Sequence, residues 1–186
     1  MTENHANLPR VVSRGEWTAA RKDQLAREKE LTRRRDALNA DHRRLPMVRV
    51  EKEYVFEGPN GRASLLDLLE GRRQLIVGHF MFDPGWEEGC PSCSAGADEI
   101  SSGLLSHLHA RDTTFDYVSR AAGEDRGLQA SKGWTFPWYS SHGSDFNYDF
   151  HATLDESVAP VEYNFQTIED HDEQSAEVPG RSSFLR

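Results

Sequence analysis

Leu75-Ile76-Val77-Gly78-His79-Phe80-Met81-Phe82, followed a few residues later by Trp86-Glu87-Glu88-Gly89-Cys90-Pro91-Ser92-Cys93-Ser94, is the stretch that decides the reading of this chain. The first segment is the most apolar run of the sequence and reads as a strand buried on both faces. The second holds both cysteines, two residues apart. The residues after it predict a helix from about Ala95 to Ala110. A buried strand, a turn bearing Gly and Pro, and a helix opening on Cys-x-x-Cys form the arrangement that makes a redox-active dithiol. Unpaired N–H groups and the positive helix end stabilise a thiolate at the first sulfur. The second sulfur follows about one helical turn later, within reach of a disulfide. Pro91 suits the first helical position, where its missing N–H costs nothing.

A Cys-x-x-Cys pair is also half of a zinc site. Zinc normally takes four ligands, and the chain has no second cysteine pair. His107 and His109 lie over a dozen residues downstream on the same predicted helix and do not fold back onto its start. No metal and no cofactor are expected. His142, Asp145, Asp149 and His151 offer a metal set on paper, but their spacing does not demand one. His79, inside the apolar run, reads as a hydrogen-bonded core residue.

With 186 residues and a mean hydropathy of −0.73, the chain has room for one core and must carry long polar segments outside it. No apolar run is long enough to span a membrane, and Met1 to Arg14 has no signal-peptide character. A cytoplasmic protein is expected, in which a lone cysteine pair is more often catalytic than structural. Residues 10–52 carry 13 Lys/Arg against 7 Asp/Glu, whereas the remainder carries 9 against 24. The basic part interleaves its charges, as in Arg27-Glu28-Lys29-Glu30, which reads as a solvated helix and not as a nucleic-acid surface.

Along the chain, residues 1–12 read as frayed. Ser13 with Glu16 is a capping-box pattern opening a long helix of about Glu16 to Ala40, with Arg33-Arg34-Arg35 on its wet face. Its apolar stripe, Leu25, Leu31 and Leu38, is narrow, so the helix is expected to dock on another surface, with Trp17 as an anchor and a homodimer as the result. The boundary falls at Leu45-Pro46, giving a helical arm over 1–46 and a second domain over 47–186. Val48 to Val50 and Tyr54 to Phe56 read as short strands, and Gly58-Pro59-Asn60-Gly61 as a turn. Ser64 caps a short helix over Leu65 to Leu69, closed by Gly71. Thr113 to Ser119 reads as a second core strand and Glu124 to Lys132 as a helix ended by Gly133. The aromatic run Trp134 to Tyr139 serves as a cover for the sheet edge, a wall of the dithiol site, or both. Residues 140–178, with ten Asp/Glu between Asp145 and Glu177, read as a largely solvated insertion. Ser182 to Arg186 reads as another strand. The alternation of strands and helices argues for an α/β fold with a parallel pair.

These pieces resemble the thioredoxin-like fold. More closely, the chain resembles a bacterial family of uncharacterised proteins described as predicted dithiol–disulfide oxidoreductases. The resemblance runs through Trp17, Leu65 to Leu75, His79 to Phe82, Gly89 to Ser94, Gly133 to Ser140 and Val178-Pro179-Gly180, and covers nearly the whole chain. It implies a three-layer α/β domain in which a cis-proline before the third core strand faces the dithiol, a place that Pro179 matches. It also implies that one further strand and a helix follow where this chain stops, so that the strand over 182–186 forms an edge covered by a second copy or by the insertion. Pro91-Ser92 between the cysteines, where thioredoxin has Gly-Pro, is closer to glutaredoxin-like and more oxidising members. Glu87 and Glu88 oppose the helix terminus at Cys90.

The reading that follows is thiol–disulfide exchange on a protein or small-molecule disulfide. Cys90 attacks, Cys93 resolves, Pro179 shapes the groove, and Trp86, Pro91 and Trp138 contact substrate. A peroxidase using the same two cysteines is an alternative, although the Thr-x-x-Cys pattern of such enzymes is absent. A non-catalytic dimeric interaction module built on the basic helix is another.

Overall fold

The computed structural model describes residues 8–167 and 176–186, so the expected fraying of residues 1–12 and the middle of the acidic segment lie partly outside the described residues. The chain divides into two compact units, one ending at Glu51 and the other beginning at Lys52. The first is dominated by α1 (Arg14–His42), 29 residues long. Ser13 accepts from the Glu16 backbone N–H while the Glu16 carboxylate accepts from Ser13, so the capping box is closed in both directions. None of its residues is buried, and Trp17, Leu31 and Leu38 are half exposed or more. Ion pairs such as Arg34–Glu30, 3.0 Å, lace its surface. Among the described residues no helix is long and apolar enough to cross a membrane.

The second unit opens on β1 (Val55–Gly58) and β2 (Gly61–Ser64), joined as a hairpin with Gly58 opposite Gly61. Val48 to Val50, expected as a strand, has no regular structure, and its valines are exposed. Three residues that find no partner ladder gain nothing from β-branched side chains. Then come α2 (Leu65–Leu68), capped by Ser64 with Asp67, β3 (Gln74–His79), α3 (Pro91–Asp98), α4 (Ser102–His109), β4 (Thr113–Ser119) and α5 (Glu124–Lys132). The single helix expected over Ala95 to Ala110 is two helices. Ser101 leaves the helical conformation (φ −84°, ψ 159°) and its hydroxyl accepts from the Leu104 N–H, restarting the helix in place of continuing it.

β5 (Trp138–Ser140), α6 (Phe146–Asp149), β6 (Thr153–Leu154), β7 (Glu162–Tyr163), β8 (Gln166–Thr167), β9 (Ala176–Glu177) and β10 (Gly180–Leu185) complete the order. The main sheet runs β10-β3-β4-β5-β1-β2. β3, β4 and β5 are parallel neighbours, and β10 lies antiparallel on β3 with Gly180 opposite His79. This mixed α/β sheet, with the dithiol helix between parallel β3 and β4 and an antiparallel strand on the far side of β3, is the three-layer arrangement that the thioredoxin-like resemblance implied. β10 is an edge of the sheet among the described residues.

The two faces of the sheet carry separate cores. Beneath α3, α4 and α5 lie Phe80, Phe82, Phe115, Tyr117, Phe136 and Trp138, an almost wholly aromatic cluster. On the other face Tyr54, Phe56, Leu68, Leu75, Val77, Val118 and Phe146 pack together. Phe146, Ala152, Leu154 and Val161 are buried, so the segment read as a solvated insertion contributes to the core from both α6 and the loops around it. Its acidic residues masked an apolar residue every few positions, and burial followed the apolar ones. Lys52 bridges Asp145 (2.8 Å) and Asp149 (2.6 Å), so two residues of the set that offered a metal site on paper are paired with an ammonium.

Asp116, at the centre of β4, is fully buried on the second face, and neither carboxyl oxygen has a hydrogen-bond partner among the described residues. Burial, reinforced by Glu70 and opposed by Arg72, pushes its pKa up to about 8. The unfolded chain releases this proton near pH 4, whereas the folded chain keeps it until about pH 8. Stability is therefore lost as pH rises through that window, with a limiting slope of about 1.4 kcal/mol per pH unit for one proton. Asp116→Asn removes this titration. Thermal unfolding should show the variant gaining on the wild type between pH 5 and pH 8; a difference that stays constant across that range would contradict the assignment.

Candidate functional site

The dithiol turn hangs from the C-terminal end of β3. The Cys90 N–H donates to the Met81 carbonyl at 3.0 Å, fastening the turn to the strand extension that precedes it. Cys90 is the N-cap of α3, with Pro91 at the first helical position and the Cys90 carbonyl accepting from Ser94 N–H at 2.9 Å. No side chain caps the helix, and Cys90 holds the N-cap at its positive end, where the first-turn backbone N–H groups have no partner within the helix. Gly89 is required for this geometry. A Cβ there would lie 2.7 Å from the Phe80 ring and 3.0 Å from Leu128, so only glycine lets the turn settle on the aromatic core.

The two sulfurs sit in different surroundings. Both cysteines are free thiols and both are half-buried. Cys93, one turn into α3, packs against the aromatic cluster. Burial, with a smaller contribution from the charge and hydrogen bond of Cys90, pushes its pKa up to about 11, against a hydrogen bond with the Met81 backbone. At neutral pH Cys93 therefore holds its proton.

Trp86, four residues before Cys90, is 38% exposed, and Pro91, next to Cys90 in the chain, is exposed. Trp138 is 4% exposed, with its indole N–H donating to the Ser119 hydroxyl at 3.0 Å inside β5. Its expected part in substrate contact is corrected: it is core. The Trp134–Tyr139 run as a whole is neither an edge cover nor an open wall, because β5 is an interior strand between β4 and β1. Trp134 is the exception, half-buried at the surface with its N–H on Asp98 of α3 at 2.8 Å. Pro179 is exposed and lies one residue outside the Gly180–His79 pair, at the end of the sheet from which the dithiol turn departs. The bond before it is trans, in place of the cis form that the resemblance implied, and its carbonyl accepts from the Tyr163 hydroxyl at 3.1 Å.

His79 is a core residue, with one ring nitrogen 2.9 Å from the Ser182 hydroxyl and the other 3.4 Å from Asn147. Burial lowers its pKa to about 4, so it is neutral at physiological pH. Among the described residues no group of three or more His, Cys, Asp or Glu side chains is placed to hold a metal ion.

Sequence reading missed a buried ion pair behind this end of the sheet. Arg120, following β4, reaches Glu177 of β9 at 3.0 Å and Asp83 of the dithiol loop at 3.5 Å, and stacks over Tyr148. Glu177 also accepts from Thr153 at 2.9 Å. These residues are far apart in sequence and share no local pattern, so only the fold brings them together.

The model of a family described as bacterial protein of unknown function (DUF899) matches residues 6–186. The chain belongs to that family. No curated protein matches this DUF899 chain. Among solved structures, a solution structure from Bacteroides thetaiotaomicron described as a "putative protein disulfide isomerase" is similar over 55% of this chain, at 19% identity and a TM-score of 0.39. The matched part is 64% of that protein, so the DUF899 chain spans less than two thirds of its length.

The contrast between the two thiols makes a direct expectation. Iodoacetamide at pH 7 should modify Cys90 of the reduced protein well before Cys93, as read by peptide mapping over time. Raising the pH toward 11 should bring Cys93 into reaction. Modification of Cys93 first would reverse the roles of the two sulfurs.

Proposed function

We propose that this protein is a thiol–disulfide oxidoreductase working through Cys90 and Cys93. The reading is carried by one observation: two reduced thiols stand one turn apart at the start of a helix, the first at its N-cap with no side-chain cap and the second packed against the aromatic core. In the reductive direction, the Cys90 thiolate attacks one sulfur of a substrate disulfide. A Cys90–substrate disulfide forms, and the other substrate sulfur leaves as a thiolate that takes up a proton. Cys93 then loses its proton and attacks the Cys90 sulfur, releasing the second substrate thiol and leaving a Cys90–Cys93 disulfide. Two electrons pass from the protein to the substrate, and an external dithiol returns them.

The surroundings of Cys93 suit this order. Two of the effects that hold its proton, the charge of Cys90 and the hydrogen bond to it, vanish once Cys90 is tied up in the mixed disulfide. The second thiol is thus released for attack when its attack is needed. Trp86 and Pro91 supply apolar contact beside Cys90, and Pro179 stands at the same end of the sheet. The exposed Trp17, Leu31 and Leu38 of α1 offer a surface for a second copy, so the proposal includes a homodimer.

Reduction of insulin by dithiothreitol, followed by turbidity, tests the activity. Wild type should accelerate it, Cys90→Ser should abolish the acceleration, and Cys93→Ser should trap substrate as a mixed disulfide. Equal rates for wild type and Cys90→Ser would contradict the proposal. Sedimentation of the full chain against a chain starting at Lys52 tests self-association: the full chain should be the heavier species by more than the mass removed, and two monomers would contradict the dimer.

A further inference from the structure

A groove of about 590 Å³ runs from the dithiol turn between α3 and α5. Pro91, Ser94, Ala95 and Asp98 line it from α3, at spacings of three and four residues that place them on one helix face. Leu128 and Lys132 face them from α5, and Phe82 and Gly89 close the end at the turn. The apolar part of this wall is continuous with the aromatic core through Phe82 and Leu128. The lined face of α3, from Pro91 to Asp98, is about 10 Å long at 1.5 Å per residue. That accommodates about three residues of extended peptide.

The charge of the groove is one-sided. Among the described residues Glu87, Glu88 and Asp98 border it, against Lys132. Asp98 is engaged with the Trp134 N–H, so the carboxylates at hand for a ligand are Glu87 and Glu88, at the dithiol end. The unit as a whole reinforces this sign, since residues 52–186 hold 10 Lys/Arg against 23 Asp/Glu.

We propose that the groove takes the segment of a peptide substrate flanking its disulfide cysteine, and that this segment carries Lys or Arg within about two residues of the sulfur. The inference rests on the dithiol reading above and names the substrate class for it. While Cys90 bonds to the substrate sulfur, the flanking residues lie along the face of α3, their apolar parts against Ala95 and Leu128. The cationic side chain turns back to Glu87 and Glu88. Long-range attraction raises the encounter rate, and salt screens it.

Three disulfide-linked peptides, identical except for Lys, Ala or Glu two residues after the cysteine, supply the test. Their reaction with the reduced full-length protein is followed by stopped flow at low and at 0.5 M salt. The Lys peptide should react roughly tenfold faster than the Glu peptide at low salt, the scale set by one or two exposed charge pairs. That ratio should shrink in 0.5 M salt and in the Glu87→Gln, Glu88→Gln double variant. Ser131→Trp, which fills the α5 side, should slow the Lys peptide more than it slows bis(2-hydroxyethyl) disulfide, which is too small to need the groove. If the Ala peptide reacts and all three rates agree, or if Ser131→Trp leaves the Lys preference intact, the groove assignment falls while the dithiol reading stands. If no peptide reacts with wild type at all, the dithiol reading fails and the groove assignment with it.

Discussion

The hydrogen bond from Cys90 N–H to the Met81 carbonyl, 3.0 Å long, is the constraint on which the site depends. It fixes the start of α3 to the end of β3, and the bare Cα of Gly89 lets that junction rest on Phe80 and Leu128. From this one fastening follow the place of Cys90 at the N-cap, the packing of half-buried Cys93 against the aromatic cluster, and the direction in which α3 runs over the aromatic core. A side chain at position 89 would lift the turn off Phe80, and with it the contact that keeps Cys93 in low-dielectric surroundings.

The sheet divides its labour between its faces. The dithiol face is aromatic and, among the described residues, free of buried carboxylates, so the Cys93 thiol is shaped by desolvation and by its partner sulfur. The opposite face and the adjoining loops carry the costly polar groups: neutral His79, the protonated carboxyl of Asp116, and Glu177 with Arg120. Of these, the Arg120 network touches the site indirectly, because Asp83 belongs to the loop that leads from β3 to the cysteines, and Glu177 lies two residues before Pro179. Removing one charge from such a buried set typically costs about 3–5 kcal/mol, since the partner is left uncompensated. That cost makes the network a clamp between two loops at one end of the sheet.

Much of this was legible in the sequence because the signals were local. The apolar run at 75–82, the Cys-Pro-Ser-Cys turn, Thr113 to Ser119 and the Gly133 stop each declare themselves within a few residues, and β3, β4 and α5 lie where those signals put them. The capping box of Ser13 and Glu16 is equally local. What escaped was set by tertiary contact. Val48 to Val50 has strand composition and no neighbour to pair with, while Gly61–Ser64 has poor strand composition and pairs all the same. The helix break at Ser101 competed with a helical pattern on both sides, and Trp138 looked like an accessible aromatic because the sequence does not show that β5 lies between two other strands. The role of Phe146 was hidden by the acidic residues around it.

The central claim is that Cys90 and Cys93 form one redox couple. The most direct measurement is equilibration of the pure protein in glutathione buffers of graded ratio, with the two thiols quantified by mass after trapping. The account predicts a single two-electron transition between dithiol and intramolecular Cys90–Cys93 disulfide, lost in either single Cys→Ser variant. Stable glutathione adducts on the two cysteines independently, with no intramolecular disulfide at any ratio, would contradict it.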